Sequence, residues 1–457
     1  MTPPTPPPTL PAAVEHRAIG GDLALLSLFL TLLILASVFA ERKHIPASAC
    51  SIVLGALLGG ILRVVPIEMR DELLFNEEFF LYVLLPPIIY EAGFSLAKRT
   101  FFRNFVSILL FAVVGTLATT FAIGQTLYSA GRAGAFGEGA DAALDFGTPL
   151  DSFYFGALIS ATDPVATLSI LGAVDAPPTL FTLIFGESVL NDAVAIVLVR
   201  ILANMGQSTF TSPAAFGLGC LQFVGVSLGS LAVGLAVSAL SALLLKRIDL
   251  HHHASFELSL VVLFGYSSYC CAEAVHCSGI LALFATGVCV GHYHVHSLSP
   301  PARESAAVAL KALAHLAETA VFAYMGLDLL APPAAHAAAD AAAAPPASAV
   351  AAFAAFAVAA VVVARAVVTV PLCVLANCCR EPEERITPAM AAVMVVAGLR
   401  GAIAFALARN VASAHRQSLA AATTAVVLAT TFVLGAATRP LLRAFGLSRS
   451  AGGGGGG

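Results

Sequence analysis

Apolar residues fill this chain in long blocks, and short polar stretches punctuate them. A bilayer-spanning helix needs about 20 predominantly apolar residues, so each block reads as a transmembrane helix. Thirteen blocks qualify, at about 21–40, 44–65, 79–96, 104–128, 151–174, 180–205, 215–245, 256–275, 278–294, 304–330, 348–375, 387–408 and 418–442. The seventh is long enough for one tilted helix or two short ones. The pattern predicts an all-α polytopic membrane protein with about 13 transmembrane helices. Around them lie a Pro-rich N-terminal segment, 1–20, and a short tail, 443–457, with a Gly-rich end; the transmembrane domain is 21–442.

Composition agrees. Of 457 residues, 59% are hydrophobic and 11% charged, against about 25% charged in soluble domains. The net charge of −4 comes without any long basic run, so nucleic acid is not expected as a partner. Nine cysteines lie in or beside apolar blocks without a CxxC spacing, and read as small apolar side chains. Residues 1–11 lack a basic n-region, so a cleaved secretory signal is not expected.

Basic residues set the predicted orientation. With the N-terminus outside or lumenal, the inner side holds Arg42, Lys43, Lys98, Arg99, Arg103, Lys246, Arg247, Arg303, Arg380, Arg385, Arg439, Arg443 and Arg449. The outer side then holds Arg17, Arg70, Arg132, Arg409 and Arg416, with Arg63 near a boundary. That excess places the C-terminus in the cytosol. The Ala/Pro-rich stretch 331–348 reads as an outer-loop spacer, and His251–His253 as a solvated inner boundary loop.

Against this apolar background, three blocks place ionisable residues at their centres. They are Asp163 in Ala161-Thr162-Asp163-Pro164, Asp192 in Gly186-Glu187-Ser188-Val189-Leu190-Asn191-Asp192, and Arg400 in Gly398-Leu399-Arg400-Gly401. At about 1.5 Å rise per residue the three share one depth to within a few Å. A charged side chain at the bilayer centre costs roughly 2.5–3.5 kcal/mol or more, and such residues mark ion and proton paths. Ser188 and Asp192 are four apart on one helical face, with Asn191 three from Ser188. Hydroxyl, amide and carboxylate oxygens are hard ligands, suited to a small monovalent cation or a proton. Pro164, Gly398 and Gly401 predict breaks in the fifth and twelfth helices at that depth. Such breaks build ion sites in secondary transporters. Their positions, fifth of blocks 1–6 and fifth of blocks 8–13, suggest two inverted six-helix repeats whose broken helices cross at the midplane.

Asp163 has two compatible readings, a cap for the half-helix that begins at Pro164 and a lining of the ion site. Arg400 is expected to pair with Asp163 or Glu187 and to limit the negative charge of the empty site. Glu187 reads as either a pairing residue or a cytosolic-side gate. Glu318 and Arg365, at similar depth, are expected to form an ion pair. In the third block, Leu85, Pro86 and Pro87 predict a kink next to Glu91.

The segments LLPPIIYEAGFSL, ATDPVATLSILG, FGESVLNDAVAIVL, AETAVFAYMGLDLL and GLRGAIAFALA resemble the signature segments of the eukaryotic sodium/proton exchangers, in the right order from about the second block to the last. FFLYVLLPPIIYEAGFSLAKRTFFRN and SGILALFATGVCVGHYHVHSLSP look most like the organellar branch, of endosomes and Golgi, with the plasma membrane as the alternative. The resemblance implies a thirteen-span inverted-repeat fold, a homodimer, and alternating access by movement of a core domain. In this chain that core is about 104–205 and 348–442, with the other spans as dimer scaffold. It further implies Asp192 as the ion- and proton-carrying carboxylate with Asn191 as its partner. Thr162, Asp163 and Ser188 complete the ion site, and Arg400 and Glu187 are supporting charges. Na+ or K+ would sit at Asp192 and Asp163. The Leu85, Pro86, Pro87 and Glu91 region matches one associated with inhibitors and cation access. The family's long cytosolic tail has no counterpart in 443–457, which leaves cytosolic regulators open.

The expected activity is antiport of one Na+ or K+ for one H+ on Asp192, electroneutral because either load neutralises a single carboxylate, serving organellar or cytosolic pH. A cation channel and a membrane sensor without transport are the alternatives. No phosphate loop, activated nucleophile or cofactor motif is present, so neither an enzyme nor a cofactor is expected.

Overall fold

The computed structural model describes residues 27–39, 47–62, 77–136, 149–174, 176–205, 213–248, 252–330, 346–378, 380–409, 411, 413 and 415–447. The Pro-rich segment 1–20, most of the spacer 331–348, His251 and the Gly-rich end 448–457 lie outside the described residues. His252 and His253 are exposed, as expected of a solvated boundary loop.

Helix occupies every one of the thirteen apolar blocks. The elements are α1 (Ser27–Phe39), α2 (Ala47–Leu62), α3 (Phe80–Ser95) and α4 (Phe105–Arg132). The fifth block divides into α5 (Leu150–Ser160) and α6 (Pro164–Ala173). Then come α7 (Pro178–Asn204), α8 (Pro213–Arg247), α9 (Ala254–Ala274), α10 (Gly279–Val290), α11 (Pro300–Leu330) and α12 (Ala347–Asn377). The twelfth block divides into α13 (Pro388–Val396) and α14 (Ala402–Arg409), and α15 (Arg416–Ala444) ends the series. Seven of these helices are individually long and apolar enough to cross a membrane. The seventh block is one continuous helix of 35 residues. Helices are the natural form here, because hydrocarbon offers no partner to an unpaired backbone group.

Helix ends follow local chemistry. Pro178 and Pro388 open their helices, where a missing N–H costs nothing. Thr387 accepts from the Met390 N–H at 3.2 Å, and Ser278 caps α10 through the Leu281 N–H at 3.4 Å. A π-helical turn, Phe80–Leu84, opens α3, and two more, Leu110–Gly115 and Thr430–Leu434, interrupt α4 and α15. The described cysteines are free thiols.

The chain forms two compact units, Met1–Asn76 with Thr319–Ala339, and Glu77–Glu318 with Asp340–Gly457. In the first, α2 meets the end of α11 backbone to backbone. A Cβ on Gly55 would collide with the Ala323 carbonyl, and one on Gly326 with that of Ile52. In the second, α4–α7 and α12–α15 pack on one another around a buried apolar core. Phe155 and Phe353, both fully buried, anchor it with ring centroids 5.1 Å apart. Helices α3, α8, α9 and α10 form another mutually packed set, which meets the first through α7. Arg200 of α7 and Glu273 of α9 bridge the two sets at 3.1 Å.

Candidate ion-binding site

The two broken helices meet at their breaks. Pro164 cannot donate to the carbonyl of Ser160 and disfavours helix at Asp163, so residues 161–163 run unwound between α5 and α6. Residues 397–401 are likewise non-helical between α13 and α14. The Asp163 N–H donates to the Leu399 carbonyl at 2.8 Å, and the Thr167 hydroxyl donates to the Ala397 carbonyl at 2.9 Å. Helix α5 packs on α14, while α6 and α13 both pack on the end of α15. The first half of one broken helix therefore lies beside the second half of the other. The two run through the crossing in opposite directions, as inverted repeats require.

Glycine is needed at this contact. A Cβ on Gly401 would stand 2.6 Å from the Asp163 Cβ and 2.8 Å from its Oδ2. One on Gly398 would stand 2.7 Å from the Arg365 Nε.

The continuous helix α7 supplies the remaining acids. Glu187, Ser188, Asn191 and Asp192 are all buried, at 2% exposure or less. Two of them clamp the unwound fifth helix. The Ser188 and Thr162 hydroxyls are 3.0 Å apart, and Asn191 Nδ2 donates to Thr162 Oγ1 at 2.7 Å. The Thr162 N–H donates to Asn191 Oδ1 at 3.3 Å. Because an N–H can only donate, this contact fixes the orientation of the amide. The sequence expects Asn191 and Ser188 to converge on Asp192 as oxygen ligands. The structure gives both a second task, holding Thr162 in place.

The charges of Asp163 and Arg400 both act on Asp192. The pairing differs from expectation. Arg365 binds Glu187 directly, and its other terminal nitrogen donates to the Met394 carbonyl at 3.3 Å. It thus sits at the C-terminal end of α13, where a cation is favoured. The expected Glu318–Arg365 pair is not formed. Equal depth does not fix which way a side chain faces: Arg365 turns toward α7 and α13, whereas the charges acting on Glu318 are those of Asp163 and Glu91.

Arg400 corrects a second expectation. It is fully buried, and its guanidinium makes no hydrogen bond to any described residue. Glu187 is already held by Arg365, so Arg400 acts on Glu187 and Asp192 through its field and not as a bonded partner. Its backbone is held instead, since its N–H donates to Thr430 Oγ1 at 3.1 Å and its carbonyl accepts from Thr431 Oγ1 at 3.4 Å. Sequence reasoning missed Thr430, Thr431 and Thr167, because threonines are ordinary in apolar helices.

Leu85 and Pro86 are buried in α3, which packs on α10 and, through the Tyr90 hydroxyl, donates to the Val261 carbonyl at 2.9 Å. The main packing partners of α3 are α10 and α9. Glu91 acts on Glu318 through its field, as Asp163 does.

Buried hydroxyl, amide and carboxyl groups and a paired Arg365–Glu187 thus gather where two oppositely directed helices unwind. The sodium proton antiporter MjNhaP1 from Methanocaldococcus jannaschii has this fold, with a TM-score of 0.68 at 16% identity over 94% of this chain and all of that one. The chain belongs to the sodium/hydrogen exchanger family: residues 26–444 match the family model described as sodium/hydrogen exchanger, transmembrane. It is 35% identical over 445 residues to sodium/hydrogen exchanger 8 of Mus musculus, covering 94% of this chain and 73% of the relative. Sodium/hydrogen exchanger 9 of Rattus norvegicus is 38% identical over 376 residues, or 81% of this chain and 56% of the relative. This is an integral, multi-pass membrane protein of a transporter family.

Proposed function

We propose that this chain exchanges one monovalent cation, Na+ or K+, for one proton, and that Asp192 carries both in turn. The supporting observation is the pairing of Glu187 with Arg365. With Glu187 held and Glu318 counted in its protonated form, the acids Asp163, Glu187 and Asp192 face the cations Arg365 and Arg400, leaving one net negative charge. A single proton or a single cation neutralises that charge, and only a neutral site crosses the membrane cheaply. Burial disfavours the charged form of a carboxyl, which lets proton and metal ion compete for it. Thr162, Ser188, Asn191 and Asp163 shape the oxygen environment of the cation.

In this reading 104–205 and 348–442 form the moving core. The separate packing of α3, α8, α9 and α10 supports treating those helices as scaffold, and the working unit is a homodimer in the lipid bilayer. The N-terminus is lumenal or outside and the C-terminus cytosolic, by the sidedness of the basic residues. The membrane is that of endosomes or the Golgi, by the motif segments of α3 and α10, and the exchange regulates organellar pH and cation content.

The test is reconstituted exchange with Na+, K+ and Li+ side by side. Asp192→Asn should abolish cation-dependent proton flux while leaving the protein monodisperse. Undiminished flux in that variant removes Asp192 from the mechanism.

A further inference from the structure

Each unwound stretch is gripped by polar side chains of the long helix that follows it. On one side, Ser188 and Asn191 of α7 hold Thr162. On the other, the π-helical turn Thr430–Leu434 of α15 presents two adjacent hydroxyls to a single residue, Arg400. Thr430 Oγ1 sends its own hydrogen to the Val427 carbonyl at 3.1 Å, which leaves its lone pair for the Arg400 N–H. Thr431 donates to the Arg400 carbonyl. Both threonines are buried, and Leu399 beside them is fully buried against Gly435. The backbone of Arg400 is therefore fixed at both of its polar atoms, while its guanidinium is bonded to no described residue and lies in the fields of Asp192 and Glu187.

We propose that Thr430 and Thr431 are positioning residues for cation exchange: by clasping both backbone groups of Arg400 they keep its guanidinium short of a direct bond with Asp192. The inference rests on the reading of Asp192 as the carrier. Held at a distance, the guanidinium tempers the charge of the site without occupying it. Released, it closes on the Asp192 carboxylate in a charge-assisted bond and competes with the metal ion. The π-turn is the device that permits this grip. In a regular helix adjacent residues point about 100° apart, and the wider turn alters that spacing.

The experiment measures the apparent KM for Na+ in proteoliposomes. Thr430→Val keeps the shape of the side chain and removes the acceptor. It should raise KM about fivefold or more, with the maximal rate within about threefold of the parent. Thr430→Ser, which keeps the hydroxyl, should restore the parental KM. Thr423→Val is the control, because the buried Thr423 hydroxyl returns to the Leu419 carbonyl of its own helix; its KM should not move. An unchanged KM in Thr430→Val, or an equal rise in Thr423→Val, overturns the proposal. Should Thr430→Val not assemble, Thr431→Val is read in its place; a KM rise of about twofold is expected, and none overturns the proposal. If Asp192→Asn still exchanges, the reading of the site itself fails. If Asp192→Asn is inactive and the threonine variants match the parent, only the clasp fails.

Discussion

Glu187→Gln strips the negative partner from a guanidinium that has almost no access to solvent. The Glu187 and Arg365 side chains are 2% and 11% exposed, so bulk water does little to screen either. Breaking a buried ion pair by removing one partner costs about 3–5 kcal/mol, because the remaining charge stays buried and uncompensated. The lower end of that range applies, since a glutamine amide still offers an oxygen to Arg365. Removing both charges is gentler. Glu187→Gln with Arg365→Gln loses the pair but leaves no orphan cation, although it also forfeits the Arg365 bond to Met394 at the end of α13. The double variant should therefore be no less stable than Arg365→Gln alone, giving a coupling of about 3 kcal/mol, the cost of Glu187→Gln by itself. Thermal unfolding of purified protein, followed for the parent, both single variants and the double variant, measures it. Strict additivity would refute the reasoning. A second readout is independent of stability. Glu187→Gln makes the loaded site one unit positive, so exchange should become voltage-dependent, by at most about 2.3 kcal/mol per 100 mV.

Three further outcomes follow. Gly401→Ala drives a methyl group into the Asp163 carboxyl, and displacement of that acid should slow exchange about ten- to hundredfold; a parental rate in proteoliposomes would mean the contact is slack. In the unmodified protein, clamping the membrane potential between negative and positive values should leave the exchange rate unchanged, whereas a strong dependence would defeat the one-for-one count. Tyr90→Phe removes the hydroxyl that bonds the Val261 carbonyl and should cost about 1 kcal/mol of stability with no change in KM, because that bond lies away from the crossing; a shifted KM would tie α3 to the ion site.

Much of the architecture was legible in residue order. Apolar blocks gave the helices, and Pro164 with Gly398 and Gly401 marked where two of them break. Shared depth singled out Asp163, Asp192 and Arg400. What residue order does not encode is azimuth across a bundle. Glu187, Glu318, Arg365 and Arg400 lie at comparable depth, and only the packing of α12 against α4, α13 and α15 aims Arg365 at Glu187. The clasp on Arg400 escaped notice for a related reason. It depends on a π-turn, and the Ala-Thr-Thr-Phe sequence around Thr430 carries no signature that separates such a turn from ordinary helix. Asn191 shows the converse: the residue was found, but its amide is oriented by a backbone N–H that no motif reveals.

Because the broken helices pass each other in opposite senses, two amino ends and two carboxyl ends converge on one spot. Each end is equivalent to roughly half an elementary charge, so the four nearly cancel. The peptide framework then contributes little net potential along the membrane normal, and the preference of the centre for one ion over another falls to a handful of side-chain atoms. A centre wired this way can be retuned by exchanging a single hydroxyl or carboxyl group, without rebuilding the helices around it.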